Sequence, residues 1–250
     1  MRIIAITGAA RGIGEATARH FAAEGSRCIL LDIDPAAAQT AASLEPQGLY
    51  LPCDVSSRAS VEAAFAEIRA RFGGLDVLVN NAGIEIQGTA TELAEEDWDR
   101  ILDVNLKGAW LCCRSAIPLM EGRAHPVVVN VSSVQAFVVQ RRVTAYAASK
   151  AGMNSLTRSI AADYAPWLRA VSVCPGAVDT PLLRGNLAGF PPEQREAMLR
   201  DTEGIHLLKR LSQPAEVAAF IGFLASPAAR FCTGQAYRVD GGIGVLLEGT

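Results

Sequence analysis

Tyr146 and Lys150 stand four residues apart in Ala145-Tyr-Ala-Ala-Ser-Lys-Ala-Gly152, a spacing that puts a phenol and an ammonium on one face of a helix. Free phenols titrate at about pH 10 and are poor bases at neutrality. A neighbouring cation favours the phenolate, and lowering the phenol by about three units corresponds to about 4 kcal/mol of differential stabilisation. The pair can therefore make tyrosine an acid/base, with Lys150 lowering its pKa. Alone it is also what an ordinary polar helix face looks like, so its meaning depends on the rest of the chain.

A second constellation lies at the N-terminus. The apolar run Ile3–Ile6 leads into Thr7-Gly-Ala-Ala-Arg-Gly-Ile-Gly14, and an alanine-rich stretch of helical period follows from Glu15 to Glu24. Strand, glycine turn and helix together make an anion site, because helix N-terminal amides point at phosphate oxygens and glycines allow close approach. Gly8, Gly12 and Gly14, with Ile13 between, depart from the usual Gly-x-Gly-x-x-Gly spacing. The next apolar run, Arg27–Leu31, ends at Asp32, where a carboxylate would accept hydrogen bonds from ribose hydroxyls and repel a 2′-phosphate. Ile33 follows in place of a basic residue, so NAD is expected in preference to NADP. Arg11 dissents, since a cation in the glycine turn could hold a phosphate; it is read as a solvated arginine.

Thr7-Gly-x-x-x-Gly-Ile-Gly14, Asn80-Asn-Ala-Gly83, Asn105, Ser133, Tyr146-x-x-x-Lys150 and Pro175-Gly176 together resemble the classical short-chain dehydrogenase/reductase family over essentially the whole chain. The resemblance implies a catalytic tetrad. In it Tyr146 is the acid/base, Ser133 binds the reacting oxygen, Lys150 lowers the phenol pKa and holds the nicotinamide ribose, and Asn105 positions a proton-relay water. Ser133, thirteen positions before Tyr146, matches the family spacing, and strand alternation should turn Ser132 the other way. Implied cofactor contacts are Gly8, Arg11, Gly12, Ile13, Gly14 and Asp32. Asp54 and Val55 are expected at the adenine, Asn81, Ala82 and Gly83 beneath the adenosine ribose, Val178 and Thr180 at the nicotinamide carboxamide, and Pro175 and Gly176 as further cofactor contacts. Thr180 before Pro181 is also a good helix N-cap.

These residues need a scaffold that gathers them. Strands are expected at 2–6, 27–32, 49–53, 76–80, 126–131, 170–174 and 236–239, and helices at about 12–24, 35–43, 57–72, 92–121, 145–165 and 214–225. Such alternation indicates an α/β fold: a single-domain, Rossmann-like, doubly wound parallel sheet of about seven strands with helices on both faces, covering 1–250. Almost every marked residue falls at a strand's carboxyl end, where ligands gather in such sheets. The irregular segment 179–211, with Pro181, Gly185, Gly189, Pro191 and Pro192 and a charged helical patch from Glu193 to Arg200, is expected to be a substrate lid.

The chain has 250 residues, half of them hydrophobic, and a net charge of −3. Nothing basic points to nucleic acid, no run reaches the ~20 apolar residues of a membrane span, and a strand begins too early for a signal segment. Cytoplasmic localisation is expected. The six cysteines and three histidines show no ligand spacing, so no catalytic metal is expected and the thiols are read as core residues.

Glu85 in the loop after Asn80-Asn-Ala-Gly83, with Gln135 and Gln140 between Ser133 and Tyr146, suits a substrate with several hydroxyls. Ser132-Ser-Val-Gln-Ala-Phe137 and Gly83-Ile-Glu85 look like the family's aldose and sugar dehydrogenases. The expected function is an NAD-dependent oxidoreductase acting on a secondary alcohol, with a sugar or polyol favoured. Arg141 and Arg142 support the alternative of a hydroxy acid or 3-oxoacyl reductase, and a non-catalytic cofactor-binding sensor is a third reading. The resemblance further implies a homotetramer, or a homodimer, built on the helices at 92–121 and 145–165. The short C-terminal segment from Ile243 to Thr250 departs from the family and is read as too brief to cap a neighbouring site.

Overall fold

Strands buried on both faces read as unbroken apolar runs, and Ile3-Ile-Ala-Ile-Thr7 and Val127-Val-Val-Asn-Val131 are buried at every position. The computed structural model describes residues 1–188 and 190–245. Gly189 of the 179–211 segment and the last five residues of the C-terminal segment lie outside the described residues. Seven parallel strands, β1 (Ile3–Thr7), β2 (Arg27–Asp32), β3 (Gly48–Pro52), β4 (Val77–Asn80), β5 (Val127–Val131), β6 (Arg169–Pro175) and β7 (Ala236–Val239), form one sheet in the order β3-β2-β1-β4-β5-β6-β7. The expected strands are thus borne out to within two residues at either end.

Alternation along β1 builds two cores. Ile3 and Ala5 join Ile68, Leu111 and Ile160 from α3 (Arg58–Phe72), α5 (Gly108–Met120) and α6 (Thr144–Tyr164) on one face. Ile4 and Ile6 join Phe21, Ala37 and Ile221 from α1 (Gly12–Ala23), α2 (Ala36–Ala42) and α9 (Pro214–Ala225) on the other. The sheet is therefore doubly wound and Rossmann-like. Its order reverses between β1 and β4, which opens a crevice at their carboxyl ends.

Two helical expectations need correction. The segment 92–121 is not one regular helix: α4 (Glu95–Leu102) passes through a π turn at Asp103–Lys107 before α5 begins. The extra residue in that turn brings Asn105 inward, where it is fully buried. The segment after β6 holds α7 (Pro181–Leu187), which is not among the expected helices, and α8 (Pro192–Gly204), which bears out the helical patch expected from Glu193 to Arg200. Thr180 caps α7 by accepting from the Leu183 amide at 3.4 Å, as the Thr-Pro pair anticipates.

A buried polar chain seats α6 on the sheet. Asn80 Nδ2 of β4 donates to Asn130 Oδ1 of β5 at 2.8 Å, and Asn130 Nδ2 donates to Thr157 Oγ1 of α6 at 2.8 Å. The Thr157 and Ser172 hydroxyls then lie 2.6 Å apart, reaching β6. Directional bonds of this kind fix the rotation and height of a helix that apolar contact alone would leave able to slide. Replacing Asn130 with Ala should break the link from β4 to α6, leaving the Asn80 amide only its contacts with Cys113 Sγ and the Ala109 carbonyl, and lower the unfolding free energy by about 2 kcal/mol, read as a fall in the urea midpoint.

Candidate active site

At the glycine turn, Gly8 and Gly12 adopt φ of +64° and +60°, and a Cβ on Gly14 would come within 2.2 Å of the Gly8 carbonyl oxygen. Only hydrogen fits there. Asn81 Nδ2 donates to the Thr7 and Gly8 carbonyls at 3.0 and 2.8 Å, and Thr7 Oγ1 accepts from the Asn81 and Ala82 amides, both at 3.0 Å. The strands on either side of the crevice are thereby stapled together. No side chain caps α1, so its first amides remain open to an anion, and the cradle fits a pyrophosphate.

Asp32 is held by two backbone amides, Ala10 on Oδ2 at 2.8 Å and Asp34 on Oδ1 at 2.9 Å. The carboxylate keeps lone pairs for ribose hydroxyls. Arg11 is exposed, as its reading as a solvated arginine expects, and pairs at the surface with Asp34 at 2.6 Å. Asp54 accepts from the Ser56 amide and hydroxyl at 2.9 and 2.6 Å, and with Val55 it lines the same cleft.

The cleft is continuous, with a volume of 1790 Å³, and runs from Gly8, Arg11, Gly12, Ile13 and Asp32 past Ala82, Gly83 and Tyr146 to Pro175, Gly176, Val178 and Thr180. Gly14 and Asn105 lie behind its wall. Tyr146 is 9% exposed and Lys150 3%, and the Lys150 ammonium sits 5.5 Å from the phenol ring centre while donating to the Val131 carbonyl at 2.9 Å. Burial pushes the phenol up from its ordinary value, the Glu85 carboxylate adds to the rise, and Ser133 works the other way. In the folded chain alone the phenol therefore sits above its ordinary value and not below it, with desolvation the largest cause. Burial likewise lowers Lys150 to about 8, with Cys174 and Glu85 opposing.

Ser132 donates to the Lys150 carbonyl at 2.9 Å, whereas Ser133 accepts from the Gln135 amide at 3.1 Å and faces the phenol, as strand alternation predicts. Asn105 accepts from the Ile84 amide at 2.8 Å and donates to the Ile84 carbonyl at 2.9 Å and to Ser149 Oγ at 3.1 Å. Its side chain thus braces the loop after β4 against α6, and the relay water expected there is left one lone pair of Oδ1.

Glu85 is carried on that braced loop. Burial raises its pKa, while Gln87 and Lys150 oppose. Asn186 of α7 donates to its Oε1 at 3.0 Å. Gln135 accepts from the Gln140 amide at 2.8 Å, so these two close their own loop at the cleft edge. Arg142 is paired with Glu92 at 2.7 Å, whereas Arg141, also at the edge, has no ion pair among the described residues. The facing wall is apolar, built from Val138, Val139, Leu182, Leu183, Phe190 and Ile205.

Two residues escape sequence reasoning. Asn186 meets a partner 101 positions away, which no local pattern reports. His206 is buried, with Nε2 accepting from the Ala177 amide at 3.2 Å and Nδ1 donating to the Thr202 carbonyl at 2.7 Å, so it ties α8 to the loop after Gly176. Among the described residues, no three His, Cys, Asp or Glu side chains gather as a metal site, and no helix is long and apolar enough to cross a membrane.

Residues 8–244 match a family model described as enoyl-(acyl carrier protein) reductase. The chain is 40% identical over 246 residues to the cis-4-hydroxycyclohexanecarboxylate dehydrogenase of Sinomonas cyclohexanicum, covering 96% of each. Among solved structures it resembles the ligand-free aldohexose dehydrogenase of Thermoplasma acidophilum, with a TM-score of 0.92, 38% identity and coverage of 100% of this chain and 96% of that one. It also resembles a 3-ketoacyl-(acyl-carrier-protein) reductase of Brucella melitensis complexed with NADH, with a TM-score of 0.88, 33% identity and coverage of 96% and 97%.

Because the folded chain lowers Lys150 to about 8 from 10.5, the folded state binds fewer protons there than the unfolded state between those values, and stability from this group rises with pH. The penalty is complete below about pH 8 and gone above the unfolded value. Lys150→Met removes it, so the melting-temperature advantage of the variant over wild type should shrink between pH 7 and pH 10, measured by calorimetry.

Proposed function

Since the chain belongs to the short-chain dehydrogenase/reductase family, and so is an oxidoreductase acting on a secondary alcohol with a nicotinamide cofactor, we propose that its cofactor is NAD and its substrate a sugar or polyol. Family membership removes the non-catalytic sensor. The observation that carries the substrate reading is Glu85, a largely buried carboxylate beside Tyr146 and Lys150 and fixed by Asn186. An ionised carboxylate there accepts from a second hydroxyl of the substrate, which an apolar pocket would leave unpaired.

The α1 N-terminus and glycine turn would hold the pyrophosphate, and Asp32 the adenosine ribose. When bound, the oxidised nicotinamide would supply the hydride acceptor for the substrate's carbinol hydrogen and a positive charge near the phenol. Tyr146 takes the hydroxyl proton during oxidation and returns it during reduction. Ser133 donates to the same oxygen and holds it in line. Lys150, still largely protonated at neutral pH, offsets the charge that Tyr146 acquires, and its ammonium stands beside Gly83 with Asn105 Oδ1, a side chain at Gly83 coming to 3.4 Å from both. Asn105 serves chiefly as the brace that keeps Ile84 and Ser149 in register.

The preference for NAD is supported by the second carboxylate, Asp34, which engages Arg11 and leaves no free cation from the glycine turn beside Asp32. A second substrate reading has its own support: Arg141 at the rim of an apolar wall suits a carboxylate on an alicyclic ring, the chemistry in the name of the Sinomonas relative. Cytoplasmic localisation is supported by six free thiols, five of them buried. A homotetramer is supported by Trp98 and Trp110, exposed on α4 and α5.

Initial rates with NAD and with NADP against aldoses, polyols and cis-4-hydroxycyclohexanecarboxylate test the reading. NAD-linked oxidation of an aldose or polyol is the expected result, and turnover of the carboxylate alone transfers the assignment to the second reading. Tyr146→Phe should lose about 10²- to 10⁴-fold in kcat while binding NADH normally by nucleotide fluorescence. NADPH should bind at least about tenfold more weakly than NADH, and Asp32→Ala should narrow that gap.

A further inference from the structure

The helix α7 spans the cleft. At one end Thr180 and Pro181 pack beside the glycine turn, where a Cβ on Gly12 would meet Thr180 Cγ2 at 3.3 Å and Pro181 Cδ at 3.8 Å. Near the other end Asn186 Nδ2 donates to Glu85 Oε1 at 3.0 Å. The main chain of the Glu85 loop is already clamped, because Asn105 bonds both the amide and the carbonyl of Ile84. What remains free is the swing of the Glu85 side chain about its own three rotatable bonds. Asn186 and Gln87 are the groups that restrict it.

A carboxylate has four acceptor positions, and Asn186 and Gln87 each occupy one of them. The rest of the group stays available to the cleft, close enough to Tyr146 and Lys150 for its charge to be felt at both. An amide suits this task because it donates without adding charge. A lysine in its place would neutralise Glu85, and an aspartate would repel it.

We propose that Asn186 is a positioning residue for substrate recognition, acting through Glu85. By fastening the carboxylate to α7, it makes the seating of that helix and the presentation of an acceptor to a second substrate hydroxyl a single event. The coupling is reciprocal: a hydroxyl bound at Glu85 favours the seated helix, and the seated helix favours the hydroxyl. A substrate with one hydroxyl cannot draw on it. The inference rests on the dehydrogenase reading and adds to it the residue that sets the preference for several hydroxyls.

The test is a double-mutant cycle of Asn186→Ala and Glu85→Ala, with KM and kcat measured on the best polyhydroxylated substrate and on cyclohexanol. Asn186→Ala should raise KM for the polyhydroxylated substrate about tenfold, the size expected for one hydrogen bond to a charged group, with kcat falling much less. Cyclohexanol KM should move less than about twofold, and the variant should cost nothing further in the Glu85→Ala background. Asn186→Asp should exceed Asn186→Ala, and Asn186→Gln should recover part of the loss. Limited trypsinolysis supplies a readout without turnover: cleavage at Arg184, Arg195 and Arg200 should be faster in the Ala and Asp variants than in wild type. Equal losses on both substrates, a full loss retained in the Glu85→Ala background, or unchanged trypsin cleavage would each overturn the proposal. If wild type oxidises no alcohol with either nucleotide, the dehydrogenase reading fails, and the trypsin comparison still decides whether Asn186 holds α7 to Glu85.

Discussion

Much of the molecule exists to keep one ammonium out of water. Lys150 is 3% exposed and has a single direct hydrogen-bond acceptor among the described residues, the Val131 carbonyl at the end of β5. An isolated buried charge is expensive, and the folded state carries that penalty through the whole neutral range. Holding it there requires that α6 be unable to roll or slide. The chain from Asn80 through Asn130 to Thr157 and Ser172 supplies that rigidity two turns further along the same helix. Ser132, bonded to the Lys150 carbonyl, supplies it at the site itself.

The same desolvation orders the chemistry. A phenol and an ammonium on one helical face suggest mutual activation, yet in this cleft each is driven toward its neutral form by burial, and the buried Glu85 carboxylate pushes the phenol further in that direction. Tyr146 is thus held in its protonated state. A proton leaves a phenol so placed only when positive charge is brought to it.

What could be read from the chain divides along a physical line. The sheet was legible because a parallel strand buried on both faces leaves a continuous apolar run, and β2 and β7 match their expected limits residue for residue. The glycine turn was legible because hydrogen alone fits at Gly14. The π turn at Asp103–Lys107 was not, since one extra residue in a helix leaves no mark on amphipathic spacing. Helix α7 was obscured by Gly185 and by its brevity, although its capping threonine was recognised. Pairings decided by tertiary approach, Arg11 with Asp34 and Asn186 with Glu85, could not be seen at all. The sign of the phenol shift failed for the same reason, because burial is a property of the folded neighbourhood and not of a four-residue spacing.

The two halves of the nucleotide cradle differ in how freely they can drift. At the glycine turn, Gly8 and Gly14 admit no side chain, and the Asn81 staple leaves the backbone nowhere to retreat. Beside Asp32, Ile33 projects 73% exposed into water between two carboxylates, tied to no packing that a change there would disturb. Substitutions that retune the nucleotide can accumulate at that edge with little penalty in folding, whereas the phosphate end is closed to experiment by nature or by hand. The fold has set its evolvable surface beside its immovable one, a few ångströms apart.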